Sequence, residues 1–160
     1  MTVALHPRPQ AVPAFPAMPD LTATLDAYLR ASFSKPYVPG QHDCVLFIAG
    51  WADLISGSHH VAAIRGTYTT HNAGLRKHVA GKGTICMAAE RTLLAAGWQP
   101  VTDPADFHTG DIILTDGDHP GIWHEQPQSI VASAFGFAGH AYLHPRHATA
   151  ALRWPSPQQL

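Results

Sequence analysis

The chain is poor in charged residues, in cysteine and in long apolar segments. Charged residues make up 13% of its 160 positions, and the formal net charge is -1 with neutral histidines. A chain without a basic excess is not expected to bind nucleic acid. The longest apolar run, Cys44 to Ala52, has nine residues, whereas a helix that spans a membrane needs about 20. We therefore expect no membrane span, and the low charge suits a protein that covers part of its surface with partners.

The first residues also lack the pattern of a secretory signal. They read Met1-Thr2-Val3 and then become rich in proline, with no apolar h-region. We expect synthesis and retention in a cytoplasm until something else moves the protein. Two cysteines, Cys44 and Cys86, are too few for a disulfide framework, so both are expected to be thiols there.

Proline divides the chain into three parts. Five prolines between positions 7 and 19 exclude a helix and predict a polyproline-like N-terminal arm over 1–19. A second proline-rich stretch predicts a short C-terminal tail over 155–160. The remaining residues, 20–154, are long enough to bury the core of one ordinary domain.

Helices are predicted in the first part of that domain and strands in the second. Asp20 or Thr22 is predicted to cap a first helix that runs to about Ser32. A second helix is predicted to start at Cys44, between the caps Asp43 and Gly57. A third runs from Thr84 to Ala96 and is closed by Gly97. Residues 65–72 read as a loop and 73–79 as a short helix. Short strands are predicted at 111–115, 121–124, 129–133 and 151–154. This order is typical of an α+β fold, with helices packed on one face of an antiparallel sheet.

Cys44 occupies the first turn of the second helix, directly after the capping residue Asp43. A helix N-terminus carries about half a positive charge and unpaired amide groups, which favour a thiolate and lower its pKa from about 8.5 to below 7.5. A thiolate is a nucleophile, and the same amides can bind an oxyanion. The alternative is a small buried apolar residue, which is a common role of free cysteine. Cys86, within the apolar face of the third helix, is expected in the core.

A thiolate nucleophile requires a base, and His119 is the best-placed candidate. It follows a predicted strand and a tight turn, and it opens the next strand. A histidine at the start of a strand can point over the sheet toward a packed helix. The alternative is a solvated turn histidine.

Several short motifs occur in the order and spacing of NlpC-type papain-like cysteine peptidases. They are Pro36-Tyr37-Val38-Pro39-Gly40, His42-Asp43-Cys44, Arg65-Gly66-Thr67-Tyr68, Gly110-Asp111-Ile112-Ile113-Leu114, His119-Pro120-Gly121-Ile122 and Arg153-Trp154. The chain most resembles an uncharacterised branch of that family carried on phage tails, over about residues 25–154. The resemblance implies a papain-like fold with N-terminal helices packed on a small antiparallel sheet.

The resemblance also implies an activity and a place of action. Cys44 would be the nucleophile, His119 the general base, and Tyr37 would sit beside the thiol and help to bind the oxyanion. The substrate would be peptidoglycan stem peptides, cleaved through a thioester. Such domains sit at the tail tip of the virion, near hub proteins, and are thought to open the cell wall during genome entry.

Two departures from the family pattern leave an alternative open. Val45-Leu46 replaces the family's Ser-Gly after the nucleophile, and residues 130–133 lack the polar residue that orients the base. Ser133 or His140 is a possible substitute for that third residue. The alternative is a catalytically degenerate structural module that binds neighbouring tail-tip or hub proteins through the arm. An enzyme that transfers acyl or amide groups is also compatible with the same fold.

The twelve histidines do not predict a metal site. His140, His144 and His147 are spaced like ligands, but Pro145 would break an aligning helix and no cysteine or acid completes the set. We therefore predict no metal and no cofactor. Three further histidines are predicted to be solvated in loops, and the four tryptophans are expected to be mainly core residues. These histidines are His59, His60 and His71, and the tryptophans are Trp51, Trp98, Trp123 and Trp154.

Overall fold

Capped helices occupy the first part of the domain. The structure, a computed structural model, describes residues 20–133 and 141–155. The predicted arm over 1–19, the candidate His140 and residues 156–160 of the predicted tail lie outside these ranges. The helices are α1 (Leu21–Phe33), α2 (Cys44–Ser56), α3 (His60–Ile64), α4 (His71–Gly74), which continues into a π-helical turn (Leu75–Val79), and α5 (Ile85–Ala95).

The predicted caps of α1 and α2 are confirmed. Asp20 and Asp43 accept hydrogen bonds from backbone N–H groups in the first turns of these helices. Thr84, predicted only as the start of a helix, caps α5 in the same way. Gly57 ends α2 with the left-handed backbone that glycine adopts without strain. These interactions fix the ends of the helices. They could be predicted from the sequence because each one joins residues that are close together in the chain.

The second part forms one six-stranded antiparallel sheet. Its strands are β1 (Gln99–Val101), β2 (Ile112–Thr115), β3 (Gly121–Glu125), β4 (Gln128–Ala132), β5 (Ala141–Leu143) and β6 (Ala148–Arg153). Their order across the sheet is β1-β6-β2-β3-β4-β5. Helices and an antiparallel sheet together confirm the α+β class. The short strands β1 and β5 were not predicted, because three residues carry too little alternation to reveal a strand.

The main core lies between α2 and one face of the sheet. Phe47 and Trp51 of α2 are fully buried against Ile112 and Ile122 of the central strands. The Trp51 indole N–H also donates to the carbonyl oxygen of Gly110, at 2.7 Å. Helix α2 is thereby held against the strands that precede and follow the β2–β3 turn.

Tryptophan fills both faces of the sheet, as predicted. Trp98 is buried in the main core, and Trp154 packs partly buried against it. Trp123 is buried on the opposite face, against Phe107. Within residues 20–133 and 141–155, no helix has both the length and the apolarity to cross a membrane.

Two histidines predicted to be solvated in loops are instead part of helices. His60 begins α3 and His71 begins α4, and both are partly buried. His59 is exposed in a loop, as predicted. Loop prediction failed at His60 because the preceding carboxylate of Asp53 accepts from the backbone N–H groups of His60 and Val61, which starts a helix there.

Candidate functional site

Asp43 organises the loop in front of α2. Its side chain is almost fully buried, with 2% of its surface exposed. The carboxylate accepts three hydrogen bonds, from the backbone N–H of Gly40 at 2.7 Å, the backbone N–H of Leu46 at 3.0 Å and the hydroxyl of Tyr68 at 2.6 Å. One side chain therefore caps α2, closes the loop before it and holds a distant loop in place.

The loop that carries Tyr68 lies directly against the loop before Cys44. The backbone N–H of Gly66 donates to the carbonyl oxygen of Gly40, at 2.8 Å. Gly40 has a positive φ of 75°, and a Cβ atom there would lie 1.9 Å from the carbonyl oxygen of Tyr68. Only glycine fits at this approach, which explains why the two motifs around Gly40 and Tyr68 occur together.

The Cys44 sulfur lies beside a small cavity at the N-terminus of α2. Cys44 is 4% exposed, and the cavity is lined by Tyr37, Tyr68, His71 and His78 among others. The space of about 20 Å³ has room for one water molecule. The thiol is therefore enclosed by aromatic and imidazole groups that come from the segment 37–79.

A hydrogen-bonded series of side chains starts at the sulfur. The hydroxyl of Tyr37 bonds the Cys44 sulfur, and it lies 3.5 Å from Nδ1 of His71. The backbone N–H groups of Cys44 and Val45 also favour a thiolate at this sulfur. Tyr37 thus lies beside the thiol, as the family resemblance implies. On its other side the Tyr37 hydroxyl faces the imidazole of His71.

The surroundings of Cys44 do not favour a thiolate. Burial raises the pKa of the Cys44 thiol to about 11, with the negative charge of Asp43 as the second cause. The hydrogen bonds from Tyr37 and the two backbone N–H groups lower it, but by less. The expectation of a lowered pKa at this helix N-terminus is therefore wrong, because burial and the capping carboxylate outweigh the helix end. Burial also raises the pKa of Tyr37, followed by the neighbouring Cys44 and Asp43.

His119 lies in the β2–β3 turn, and its main chain is held by Thr115. The Thr115 hydroxyl accepts from the His119 N–H at 3.1 Å and donates to the His119 carbonyl oxygen at 3.0 Å. Nδ1 of its ring is buried and has no hydrogen-bond partner among the described residues. His119 is not among the residues that line the cavity beside Cys44. Its role as the base of Cys44 stays a prediction.

Ser133 and His140 are the candidates for the residue that orients the base. Of these two, only Ser133 lies in the ranges that the structure describes. It follows β4 and is 2% exposed. Strands β3 and β4 pair Ile122 with Val131 and Trp123 with Ile130. The same register, continued by two residues, sets Ser133 opposite Pro120, next to His119 in the chain. Whether Ser133 orients the imidazole stays a prediction.

His71 and His78 are cavity residues that the sequence reasoning missed. Nε2 of His78 lies 2.8 Å from the Thr67 hydroxyl, which itself donates to the carbonyl oxygen of Ile64. Nε2 of His78 is therefore the donor to Thr67. Burial lowers the pKa of His78, with Lys77 next among the causes, so its ring is neutral. The Arg-Gly-x-Tyr loop was the available signal, because both histidines follow Tyr68 closely.

Cys86 is a core residue, as predicted, although it does have capping groups beside it. It is 7% exposed, and burial raises the pKa of its thiol to about 11. Its backbone N–H donates to the carboxylate of Asp118 at 2.8 Å, and the N–H of Ile85 donates to the same group at 3.0 Å. The turn that carries His119 thereby caps α5 through Asp118.

Two of the histidines with metal-like spacing, His144 and His147, lie in the described ranges and have other partners. His144 accepts from the backbone N–H of Arg146, and His147 lies 3.0 Å from the carboxylate of Asp116. In the part of the chain that the structure describes, no group of three or more His, Cys, Asp or Glu side chains is arranged to hold a metal ion.

A larger groove continues from the cavity beside Cys44. It has a volume of about 200 Å³ and lies between α2, α3, the π-helical turn and α5. The groove and the cavity share four lining residues, Val45, His78, Val79 and Ile85. A molecule in the groove would therefore lie next to the space that the thiol faces.

Comparison with known proteins gives one match. Residues 16–154 match a protein family described as a domain of unknown function, DUF6950. No curated protein and no solved structure matches the chain significantly. The matched range covers the whole of the predicted domain, including the Cys44 cavity and the sheet.

Proposed function

We propose that this chain, which belongs to the DUF6950 family, is an NlpC-type papain-like cysteine hydrolase of the phage tail tip. Its substrates would be peptidoglycan stem peptides, and its virion partners the neighbouring tail-tip and hub proteins. The proposal rests on the groups that surround the Cys44 sulfur. The sulfur lies in the first turn of α2, bonded by the Tyr37 hydroxyl, in a cavity that also holds His71.

The reaction transfers the peptide acyl group first to sulfur and then to water. A base takes the Cys44 proton, and the thiolate attacks the carbonyl carbon of the scissile amide. The amine leaves with the proton returned by the base, and a thioester remains on Cys44. Water, deprotonated by the same base, then releases the acid and restores the thiol. The N–H groups of Cys44 and Val45 at the start of α2 and the Tyr37 hydroxyl are the donors available to the oxyanion.

Two imidazoles are candidates for the base. The family resemblance assigns His119. The geometry favours His71, which reaches the sulfur through Tyr37. In that route the thiol proton passes to the Tyr37 oxygen while the Tyr37 hydroxyl proton passes to Nδ1 of His71. The products are a thiolate, a neutral tyrosine and an imidazolium. A base this close matters, because burial keeps the free thiol protonated at neutral pH.

Zymography on purified peptidoglycan tests the activity. We expect clearing by the wild type and none by Cys44→Ala. Cys86→Ala is the matched control, because both cysteines are buried at the start of a helix and only Cys44 lines the cavity. Equal clearing by wild type and Cys44→Ala, or clearing by neither, would remove the hydrolase proposal.

The base is identified by comparing His71→Gln, His119→Gln and Tyr37→Phe in the same assay. Loss of clearing with His71→Gln and Tyr37→Phe, but not with His119→Gln, supports the route through tyrosine. Loss with His119→Gln alone supports the direct base of the family resemblance. A thermal melt of each variant separates loss of chemistry from loss of folding.

A structural module of the tail tip is the second candidate, and one observation favours it. The Cys44 thiol is 4% exposed, and its raised pKa leaves almost no thiolate at neutral pH. This candidate predicts that virions with Cys44→Ala assemble and infect normally, whereas the hydrolase predicts slower genome entry. Both require the chain to be present in purified virions by mass spectrometry, and its absence there would remove the tail-tip assignment.

A further inference from the structure

The segment that surrounds the Cys44 cavity carries positive charge only. Between Leu54 and Ala89 the sequence contains no Asp or Glu, although the whole chain has 11. The same segment contains four of the chain's 10 Lys and Arg residues, namely Arg65, Arg76, Lys77 and Lys82. It forms α3, α4, the π-helical turn and the start of α5. The side chains of this segment therefore favour an anionic ligand, although three carboxylates from outside it, those of Asp43, Asp53 and Asp118, line the cavity or cap its helices.

The groove that continues from the cavity is mainly apolar. Its walls include Val45, Ile48 and Ala49 of α2, Ile64 of α3, and Ala89 of α5. The volume of about 200 Å³ is ten times that of the space beside Cys44, about 20 Å³, which has room for one water molecule. An aliphatic chain of similar size would be removed from water there, which is the main source of affinity in such grooves.

One permanent charge lines the groove, and it is positive. Lys82 is exposed and belongs to the lining, which contains no carboxylate. His78 also lines the groove, but its lowered pKa keeps the ring neutral, and its Nε2 is bonded to Thr67. A ligand with an aliphatic chain and one negative group would therefore match both the walls and the rim.

We propose that the groove binds the aliphatic part of a carboxylate-bearing substrate, with the carboxylate at Lys82 and the reacting carbonyl at Cys44. The delivery to Cys44 rests on the proposed hydrolase function, whereas the binding site itself does not. The groove and the cavity share the wall residues Val45 and Ile85, so a ligand in the groove would lie directly beside the cavity. The chain's own residues 1–19 are a poorer occupant, because they contain Arg8 and no acid.

Titration of the full chain with six-carbon probes tests the site. The probes are hexanoate, hexanamide and hexylammonium, followed by amide chemical shifts in NMR spectra. We expect hexanoate to shift groove residues and to bind about two- to fivefold more tightly than hexanamide, the range of one exposed ion pair. Hexylammonium should bind most weakly. Raising the salt concentration should reduce the preference for hexanoate, since the lysine is exposed.

Matched variants assign the binding to the groove. Lys82→Gln should remove the preference for hexanoate, whereas Lys77→Gln, an exposed lysine outside the lining, should keep it. Ala89→Phe should fill the groove and block both neutral and anionic probes. Ala95→Phe, at an exposed position of the same helix outside the lining, should not.

Three outcomes would overturn the proposal. Equal affinity for the three probes would show that the groove binds aliphatic chains without selecting for a negative group. Binding that survives Ala89→Phe would mean a site elsewhere. If the chain sediments with anionic vesicles but does not bind hexanoate, its anionic ligand is a membrane surface. Binding of hexanoate by a chain that does not clear peptidoglycan keeps the groove and removes the hydrolase, so the two failures are distinguishable.

Discussion

Removal of the Asp43 carboxylate should destabilise the protein far more than removal of an ordinary helix cap. In Asp43→Ala the backbone N–H of Gly40, the backbone N–H of Leu46 and the hydroxyl of Tyr68 lose their acceptor. A buried donor left without a partner costs about 1–3 kcal/mol. We therefore expect a loss of at least about 3 kcal/mol, a large part of the 5–15 kcal/mol that is typical of a domain.

Asp20→Ala is the matched control for this measurement. Asp20 also caps a 13-residue helix and accepts from two backbone N–H groups, but it is exposed. Water replaces the lost acceptor there, so we expect a loss of about 1 kcal/mol. Urea unfolding of both variants and of the wild type gives the two differences in the free energy of unfolding.

A second readout separates the charge of Asp43 from its hydrogen bonds. Asp43→Asn keeps one acceptor oxygen but removes the negative charge, which is the second cause of the raised pKa of Cys44. Alkylation of Cys44 by iodoacetamide at pH 8 should therefore become faster in this variant. Equal destabilisation by Asp43→Ala and Asp20→Ala, or unchanged alkylation in Asp43→Asn, would refute the reasoning.

Three further predictions concern the backbone, an ion pair and the thiols. Gly40→Ala should lower the melting temperature by several degrees more than Gly57→Ala. Both glycines have a positive φ, but only at Gly40 would the added Cβ collide with a carbonyl oxygen, that of Tyr68. Equal melting temperatures of the two variants would contradict this prediction. Arg153→Ala should reduce stability in urea by about 3 kcal/mol, because it strands a buried aspartate to which the guanidinium donates bonds of 2.8 and 2.6 Å; a loss below about 1 kcal/mol would mean an ordinary surface pair. The thiols of Cys44 and Cys86 keep their protons to about pH 11 when folded and ionise near 9 when unfolded, so stability should fall between these pH values by up to about 3 kcal/mol per thiol. Replacing either cysteine with alanine should flatten that fall, and an unchanged pH profile would show that the thiols do not contribute.

The features that the sequence predicted are those fixed by neighbours in the chain. The caps at Asp20 and Asp43 and the C-terminal Gly57 act within one helical turn, so spacing alone revealed them. The α+β class followed in the same way from helical spacing that gives way to alternation.

The features that the sequence missed depend on contacts between distant segments. His71 reads as a loop residue, yet it lies 3.5 Å from the hydroxyl of Tyr37, 34 positions earlier. Asp118 reads as a turn residue, yet it accepts from the first N–H groups of α5. No local pattern marks such pairs, because each forms only after the helices and the sheet have packed.

The capping residue that makes Cys44 recognisable in the sequence also changes its chemistry. A carboxylate at the N-cap uses the amide groups of the first turn and places a negative charge beside the helix end whose positive charge should favour a thiolate. Burial adds to this effect, and the pKa of Cys44 rises to about 11. A substrate that reaches the cavity would meet a thiol, so a base beside Cys44 has to take the proton that the raised pKa retains. The hydroxyl of Tyr37 and an imidazole within reach are therefore essential to a reaction at Cys44, whereas a structural role for Cys44 requires neither group.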